Sequence, residues 1–109
     1  MALASVEQLL APTALTNTTT TTLYTVPAST KVIIKEILLC NTDTSARTVT
    51  MFVGSATGAA NTILSAITIQ AGETRFVTLS TVLIAADKIS GGASVGSVVS
   101  CIISGTKVT

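Results

Sequence analysis

The chain lacks most of the side chains on which enzymes and nucleic-acid-binding proteins depend. Among its 109 residues there is no histidine and no tryptophan, and the aromatic residues are only Tyr24, Phe52 and Phe76. Without histidine, the commonest general base for activating a serine or cysteine nucleophile is missing. Charged residues make up only 10% of the chain and the net charge is +1, so no basic groove for a phosphate backbone is expected. The composition therefore argues against a histidine-dependent enzyme and against nucleic-acid binding.

The shortage of charge also bears on solubility, because hydrophobic residues make up 48% of the chain and its mean hydropathy is +0.72. Soluble domains usually contain about 25% charged residues, and a net charge near zero promotes association. We therefore expect part of the apolar surface to be buried against other subunits. The composition predicts a homo-oligomer and leaves the number of subunits open.

No set of residues has the spacing of a catalytic, metal or cofactor site. The five acidic residues are far apart, and the many serine and threonine residues have no base at a recognised spacing. The glycine-rich stretch 91–96 does not fit a phosphate-binding loop and is interpreted as a hairpin connection. Lys31, Lys35 and Glu36 are predicted to decorate an exposed strand edge and to protect it from unwanted pairing. We assign no catalytic residue, no metal ligand and no cofactor.

The two cysteines, Cys40 and Cys101, lie in apolar runs that are typical of strands. We expect them to be free, buried thiols, and a disulfide between distant strands is the alternative. Two cysteines without histidine do not make a usual zinc site. No apolar run approaches the ~20 residues that span a bilayer, and the N-terminal residues lack the pattern of a signal peptide. We therefore expect synthesis in the cytoplasm and no membrane association.

The remaining composition favours strands. Threonine, valine and isoleucine supply 42 of the 109 residues, and these β-branched types favour strands over helices. Turn-forming residues separate the apolar runs at intervals of about ten residues, which is typical of an all-β sandwich or barrel. The predicted strands are 22–26, 31–41, 47–54, 62–70, 73–80 and 96–104, with shorter ones at 82–84, 87–90 and 106–108. The pattern predicts one antiparallel β-sandwich domain over residues 23–109.

Residues 1–22 differ from the rest and are predicted to form an N-terminal extended arm. One or two helical turns are expected at 5–10, ended by Pro12, and a threonine-rich tract follows at 16–22. The arm is either a flexible terminus or a segment that reaches a neighbouring molecule. In the second case its apolar side chains would form a partner-binding hook: Leu3, Val6, Leu9 and Leu10.

The runs 31–41 and 96–104 are apolar on both faces, whereas an antiparallel sheet usually has one face in water. Alternation in the first run places Val32, Ile34, Leu38 and Cys40 on one face, and Ile33, Ile37 and Leu39 on the other. Such strands are either central to a small sandwich or covered on their outer face by another subunit. The second alternative gives a candidate subunit interface: Ile33, Ile37, Leu39, Val99 and Ile103.

Several motifs resemble a pattern found in small structural proteins of tailed bacteriophage particles. They are Leu23-Tyr24-Thr25-Val26-Pro27, the strand that ends Cys40-Asn41-Thr42, Ala71-Gly72-Glu73-Thr74, and the stretch from Val82 to Ile89. Ser29 and Ala86 stand where such proteins usually have glycine. The resemblance covers about residues 22–108. It implies a jelly-roll-like or Ig-like β-sandwich that works by binding other virion proteins.

The function that the resemblance implies first is a capsid decoration (cement) protein on the outside of a phage head. Such a protein would be a homotrimer that bridges subunits of the major capsid protein and opposes internal DNA pressure. The alternative is a tail, baseplate or fibre-attachment component with the same fold. A third hypothesis is a small host-surface or carbohydrate-binding module. That module would need aromatic platforms, which a chain without tryptophan and with a single tyrosine is poorly equipped to supply.

Overall fold

The computed structural model describes residues 6–108, which contain eight β-strands and a single-turn 3-10 helix. The strands are β1 (Val6–Ala14), β2 (Thr22–Thr25), β3 (Lys31–Asn41), β4 (Arg47–Gly54), β5 (Thr62–Ile69), β6 (Thr74–Leu83), β7 (Lys88–Ala93) and β8 (Val99–Val108). The 3-10 helix, Ala59–Asn61, precedes β5. No helix among the described residues is long and apolar enough to cross a membrane.

The strands form two four-stranded sheets in which every pair of neighbours is antiparallel. The first sheet has the order β1-β8-β3-β6, and the second has the order β2-β7-β4-β5. Each sheet therefore interleaves strands from the two halves of the chain, which is the arrangement of a jelly roll with its paired Greek keys. The prediction of an all-β antiparallel sandwich is confirmed. The strand order distinguishes the jelly roll from the Ig-like alternative, whose strands are divided between the sheets differently.

Most predicted strands coincide with observed ones, and two of the short ones turn out to be continuations. Residues 82 and 83 of the short strand predicted at 82–84 extend the strand predicted at 73–80 into β6, and residues 106–108 extend the strand predicted at 96–104 into β8. Continuous backbone pairing with β3 holds both extensions, since Val32 lies opposite Leu83 on one side and Lys107 on the other. Pairing with β3 therefore makes one continuous strand of segments that the local sequence pattern had divided.

The glycine pair at positions 91 and 92 was predicted to lie in a hairpin connection, and this prediction is wrong. Both glycines are buried within β7. A Cβ atom on Gly91 would lie 2.8 Å from the Met51 Cγ atom, and one on Gly92 would lie 2.6 Å from the carbonyl oxygen of Thr18. Glycine is required here because neighbouring atoms approach the β7 backbone closely.

The core lies between the two sheets and is lined by alternate residues of their strands. Its largest fully buried side chains are Leu15, Val26, Val32, Ile34, Ile37, Leu39, Val49, Met51, Ile69, Ile89, Val99 and Ile103. All of them are aliphatic or thioether side chains, so burial of apolar area is the main stabilising contribution to this fold.

A β-bulge in β3 determines which of its side chains face the core. The register of β3 shifts between Ile34 and Glu36 against both of its neighbours, β6 and β8. Ile34 is buried before the shift, and Ile37 and Leu39 are buried after it. Since a one-residue irregularity exchanges the two faces of a strand, the predicted grouping of Ile34 with Leu38 on one face is wrong. The bulge also explains why the run reads as apolar on both faces.

The N-terminal segment is part of the sandwich over the residues that the structure describes. Residues 6–14 pair with β8 as the edge strand β1, so the helical turns predicted at 5–10 are wrong for residues 6–10. The physical reason is tertiary: strand pairing with β8 and burial of Leu9, which is 8% exposed, outweigh a weak local preference for helix. Leu3 lies outside the described residues.

The threonine-rich tract at 16–22 is held against β7 by backbone hydrogen bonds. The Ala93 N–H donates to the Thr16 carbonyl at 2.9 Å, and the Gly91 N–H donates to the Thr21 carbonyl at 2.9 Å. The hydroxyl groups of Thr16 and Thr21 lie 2.8 Å apart and share a further hydrogen bond. In the structure, residues 6–22 therefore lie along the edges of the sandwich, whereas the sequence predicted a separate arm.

Two turns have a left-handed residue at positions where the resembling phage proteins usually have glycine. Ser29 has φ 57° and Ala86 has φ 72°. In the second turn the Asp87 N–H donates to the Ile84 carbonyl at 3.0 Å, and the Asp87 carboxylate accepts the Ile84 N–H at 3.1 Å. Gly72 takes φ 71° in the turn between β5 and β6, a conformation that glycine adopts at little cost.

The substitution Ala86→Gly is expected to stabilise the protein. It removes the strain of a left-handed alanine but makes the unfolded chain more flexible, so we expect a net gain of about 0.5 to 1 kcal/mol in the free energy of unfolding. Ala85→Gly is the matched control, because the φ of Ala85 is not positive and only the flexibility cost applies. Urea denaturation of the three proteins measures both changes. A loss of stability in Ala86→Gly would contradict the assigned turn.

Candidate interaction surface

Six of the eleven charged side chains form three surface ion pairs. The pairs are Arg47–Asp43 at 2.6 Å, Arg75–Glu73 at 3.3 Å and Lys107–Glu7 at 3.2 Å. Within residues 6–108 no three histidine, cysteine, aspartate or glutamate side chains come together as a possible metal site.

Hydrogen bonds from backbone N–H groups and from arginine side chains lower the pKa of two of these carboxyl groups. The hydrogen bond from Arg47 lowers the pKa of Asp43. The backbone N–H of Gln70, followed by Arg75, lowers the pKa of Glu73. A general acid or base works best with a pKa near the operating pH, and both carboxyl groups are shifted away from it. These residues stabilise turns.

Cys40 on β3 and Cys101 on β8 are one position apart in the pairing of these two strands, but their side chains lie on opposite faces of the first sheet. Cys40 is opposite Ser100, and Cys101 is opposite Leu39, whose side chain is in the core. Both thiols are free, in agreement with the expected free thiols and not with a disulfide. Burial raises the pKa of Cys101 to about 12, so this thiol is not a nucleophile at neutral pH. Cys40 is only half-buried.

The most apolar exposed part of the molecule is the outer face of the first sheet, the side turned away from the core. Leu38 on β3 lies opposite Phe76 on β6 and opposite Ile102 on β8. Ile33 lies opposite Val82 in a second apolar row, which the row of Glu36, Thr78 and Ser104 separates from the first. Phe76 is 59% exposed and Val82 is 58% exposed. These exposed apolar side chains share one face of the sheet, which makes that face the candidate interaction surface.

The predicted subunit interface differs from this outer face in four of its five residues. Ile33 is on the outer face, but the other four are fully buried in the core of their own chain: Ile37, Leu39, Val99 and Ile103. For β3 the cause is the bulge described above. In β8, Ser100 and Ser104 alternate with the buried residues. These two polar residues indicate in the sequence which face of the strand is turned away from the core. The buried four are therefore not available to a second subunit.

The predicted partner-binding hook is also divided by the structure. Val6 is 65% exposed and lies opposite Thr106 at the edge of the first sheet. Leu9 is buried in the core, and Leu10 is half-buried against it. Val6 is thus the one described residue of the hook whose side chain is largely free to contact another molecule.

The charged residues of β3 do not protect an edge. β3 lies between β8 and β6 in the interior of the first sheet, so the prediction that Lys31, Lys35 and Glu36 decorate an exposed strand edge is wrong. The ion pairs within residues 6–108 do not include these three side chains. Lys35 lies at the bulge, and Glu36 separates the two apolar rows of the outer face.

A surface cleft of about 460 Å³ adjoins the outer face at one end of the sandwich. It is lined by Ser29, Thr30, Lys31, Ile84, Ala85 and Val108. Ile84 and Val108 are among the exposed large apolar residues, so the cleft extends the apolar surface past Val82. A second cleft, of about 200 Å³, is lined by hydroxyl groups, small residues and Lys88, with no aromatic side chain.

Comparison with known proteins gives a likeness of fold at low sequence identity. A chain of the T13 particle of infectious bursal disease virus superposes with a TM-score of 0.60 and 9% identity, over 95% of this chain and 30% of that chain. A chain of the same virus, Gx strain, gives a TM-score of 0.55 and 12% identity, over 95% of this chain and 32% of that chain. The present chain thus spans about a third of the length of these viral chains. No family model and no curated protein matches the sequence.

Proposed function

We propose that this chain is a virion structural protein, and more specifically a decoration (cement) protein on the outer surface of a phage capsid. The observation that carries the proposal is a jelly roll with an apolar outer face, whose fold neighbours are chains of icosahedral virus particles. The motif resemblance to tailed-phage structural proteins supports the phage assignment.

The proposed mechanism is stabilisation of the shell by binding. A protein that binds the assembled capsid and not its dissociated subunits shifts the equilibrium toward the assembled state. Full burial of an exposed side chain such as Phe76 or Val82 contributes about 1.5 to 3 kcal/mol. Several linked copies on one shell add avidity without new contacts. The partner is then the major capsid protein, and the affinity depends on apolar and backbone contacts more than on charge.

Two other functions remain as alternatives. A tail, baseplate or fibre-attachment protein would have the same fold and the same apolar face, and it would differ in its position and copy number in the particle. A host-surface or carbohydrate-binding module is less well supported, because the polar cleft has no aromatic side chain on which a sugar could stack.

The number of copies per particle tests the proposal. Quantitative mass spectrometry of purified virions measures the ratio of this chain to the major capsid protein. A ratio of one-to-one, or a simple fraction of it, is the expected result. A few copies to a few dozen per particle would assign the protein to the tail and reject decoration, and absence from the particle would reject a virion role altogether.

A further inference from the structure

The edges of the two sheets differ in how well they are protected against pairing with another strand. A jelly roll of two open sheets has four edge strands, which are β1 and β6 in the first sheet and β2 and β5 in the second. An unprotected edge exposes unpaired N–H and C=O groups that pair readily with another strand, so natural proteins usually block their edges.

Three of the four edges carry blocking features. β1 contains Pro12 and has two register shifts against β8. β2 has only four residues and one register shift. β5 is irregular in its pairing with β4 and contains Ala66 at a positive φ of 46°. Prolines, short strands and bulges are the devices that prevent edge-to-edge pairing.

The fourth edge, β6, has fewer of these features, and none of its residues has a positive φ. It is ten residues long and has no proline, and its exposed and half-buried residues alternate without interruption from Thr74 to Val82. It has one register shift against β3, where Leu79 and Ser80 occupy the same step as the single residue Lys35, and the alternation of exposed and half-buried residues continues across this step. Its one charged residue, Arg75, is near the start of the strand, where it donates to the Thr68 carbonyl and the Glu73 carboxylate.

The outward side chains of β6 are complementary to a second copy of themselves. When two β6 strands pair antiparallel about a two-fold axis at Leu79, residues whose numbers are equally distant from 79 lie opposite each other. Phe76 of one copy then lies opposite Val82 of the other, and Thr78 lies opposite Ser80. The most exposed apolar residues of the edge thus become cross-strand partners, twice in each dimer.

We propose that β6 pairs with β6 of a second copy in this register, so that the first sheets of two chains form one continuous eight-stranded sheet. The pairing satisfies the free backbone groups of β6 and covers Phe76 and Val82. It predicts a two-fold dimer in place of the trimer that the phage resemblance implies. The inference goes beyond the proposed function and does not depend on it, because it concerns the purified chain alone.

The test compares two charge substitutions on the same outer face. Val82→Lys places a lysine in the pairing register, whereas Val6→Lys places one on β1, at the opposite edge of the sheet. Both side chains are more than half exposed, so both variants are expected to fold, which circular dichroism checks. Light scattering after size-exclusion chromatography is expected to give a dimer for the parent chain and for Val6→Lys. For Val82→Lys we expect the affinity between the two copies to fall roughly a hundredfold, so that the dimer dissociates into monomers.

A cross-link tests the register itself. In a Cys40→Ser background, Thr78→Cys combined with Ser80→Cys is expected to give a disulfide-linked dimer, because directly opposite residues are within disulfide distance. Thr78→Cys alone is the control, since two copies of residue 78 lie on a diagonal at about 7 to 8 Å. A parent chain that is monomeric or trimeric, a dimer that resists Val82→Lys, or a double variant that does not cross-link would each overturn the proposal.

Discussion

Replacing Asn41 by leucine is expected to lower the free energy of unfolding by about 3 to 4 kcal/mol. The side chain of Asn41 is fully buried and makes three hydrogen bonds. Its Nδ2 group donates to the carbonyl oxygens of Ser45 at 2.9 Å and Ile69 at 3.0 Å, and its Oδ1 atom accepts the Asp43 N–H at 2.9 Å. Leucine would leave these backbone groups without a partner in a place that water reaches poorly.

The size of the effect follows from where Asn41 lies. It ends β3 in the first sheet, whereas Ile69 ends β5 in the second sheet, so the bond to the Ile69 carbonyl joins the two layers. The backbone of Asn41 also pairs with the turn between β5 and β6, through bonds to Glu73 at 3.0 Å and Gly72 at 2.9 Å. Those backbone bonds persist in the leucine variant, so the measured loss reports the side chain.

Asn61→Leu is the matched control for this substitution. Asn61 is half-buried and donates one hydrogen bond, from Nδ2 to the Val53 carbonyl at 2.9 Å, so we expect a loss of about 1 kcal/mol or less. Guanidinium chloride denaturation of both variants gives the two values. If Asn41→Leu lost no more stability than Asn61→Leu, the side chain of Asn41 would not be joining the sheets.

The sequence predicted Asn41 only as the last residue of the strand 31–41, with no sign of its role between the sheets. Local patterns reveal some features of the fold and not others. Alternation and turn residues are local properties, and they were sufficient for β2, β3, β4 and β5. β1 was missed because its strand conformation depends on pairing with β8, nearly a hundred residues away in the chain. No local pattern reports such a pairing partner.

The candidate interaction surface was predicted only in part, and the reason is related. Alternation in a strand separates two sets of residues but does not say which set faces the core. In β3 the bulge exchanged the sets at mid-strand, so Ile37 and Leu39 were assigned to an interface although they are buried. In β6 the alternation was regular, but only the strand order identifies β6 as an edge and Phe76 as exposed. The composition predicted an apolar contact surface, whereas the positions of the exposed apolar residues required the topology.

Gly105→Ala is expected to cost about 3 kcal/mol of stability. Gly105 is in β8, opposite Ile34 of β3 and Glu7 of β1. A Cβ atom at this position would overlap the carbonyl oxygen of Ile33 and would lie 2.7 Å from the Leu9 Cδ1 atom. The side chain of Leu9 can move, but the carbonyl oxygen belongs to the backbone of a central strand and can move only with the sheet.

The expected loss of stability in Gly105→Ala depends on the β-bulge that determines which side chains of β3 face the core. Gly105 lies opposite Ile34, directly before the register shift, so displacing the strands there disturbs the step that turns Ile37 inward and Leu38 outward. Gly96→Ala is the control, because a Cβ at Gly96 would be 3.6 Å from its nearest neighbour, and we expect a change within about 0.5 kcal/mol. Thermal and urea unfolding measure both variants. Equal stability of Gly105→Ala and Gly96→Ala would mean that β3 and β8 do not approach closely at the bulge. The assignment of Leu38 and Ile33 to the outer face would then also be wrong.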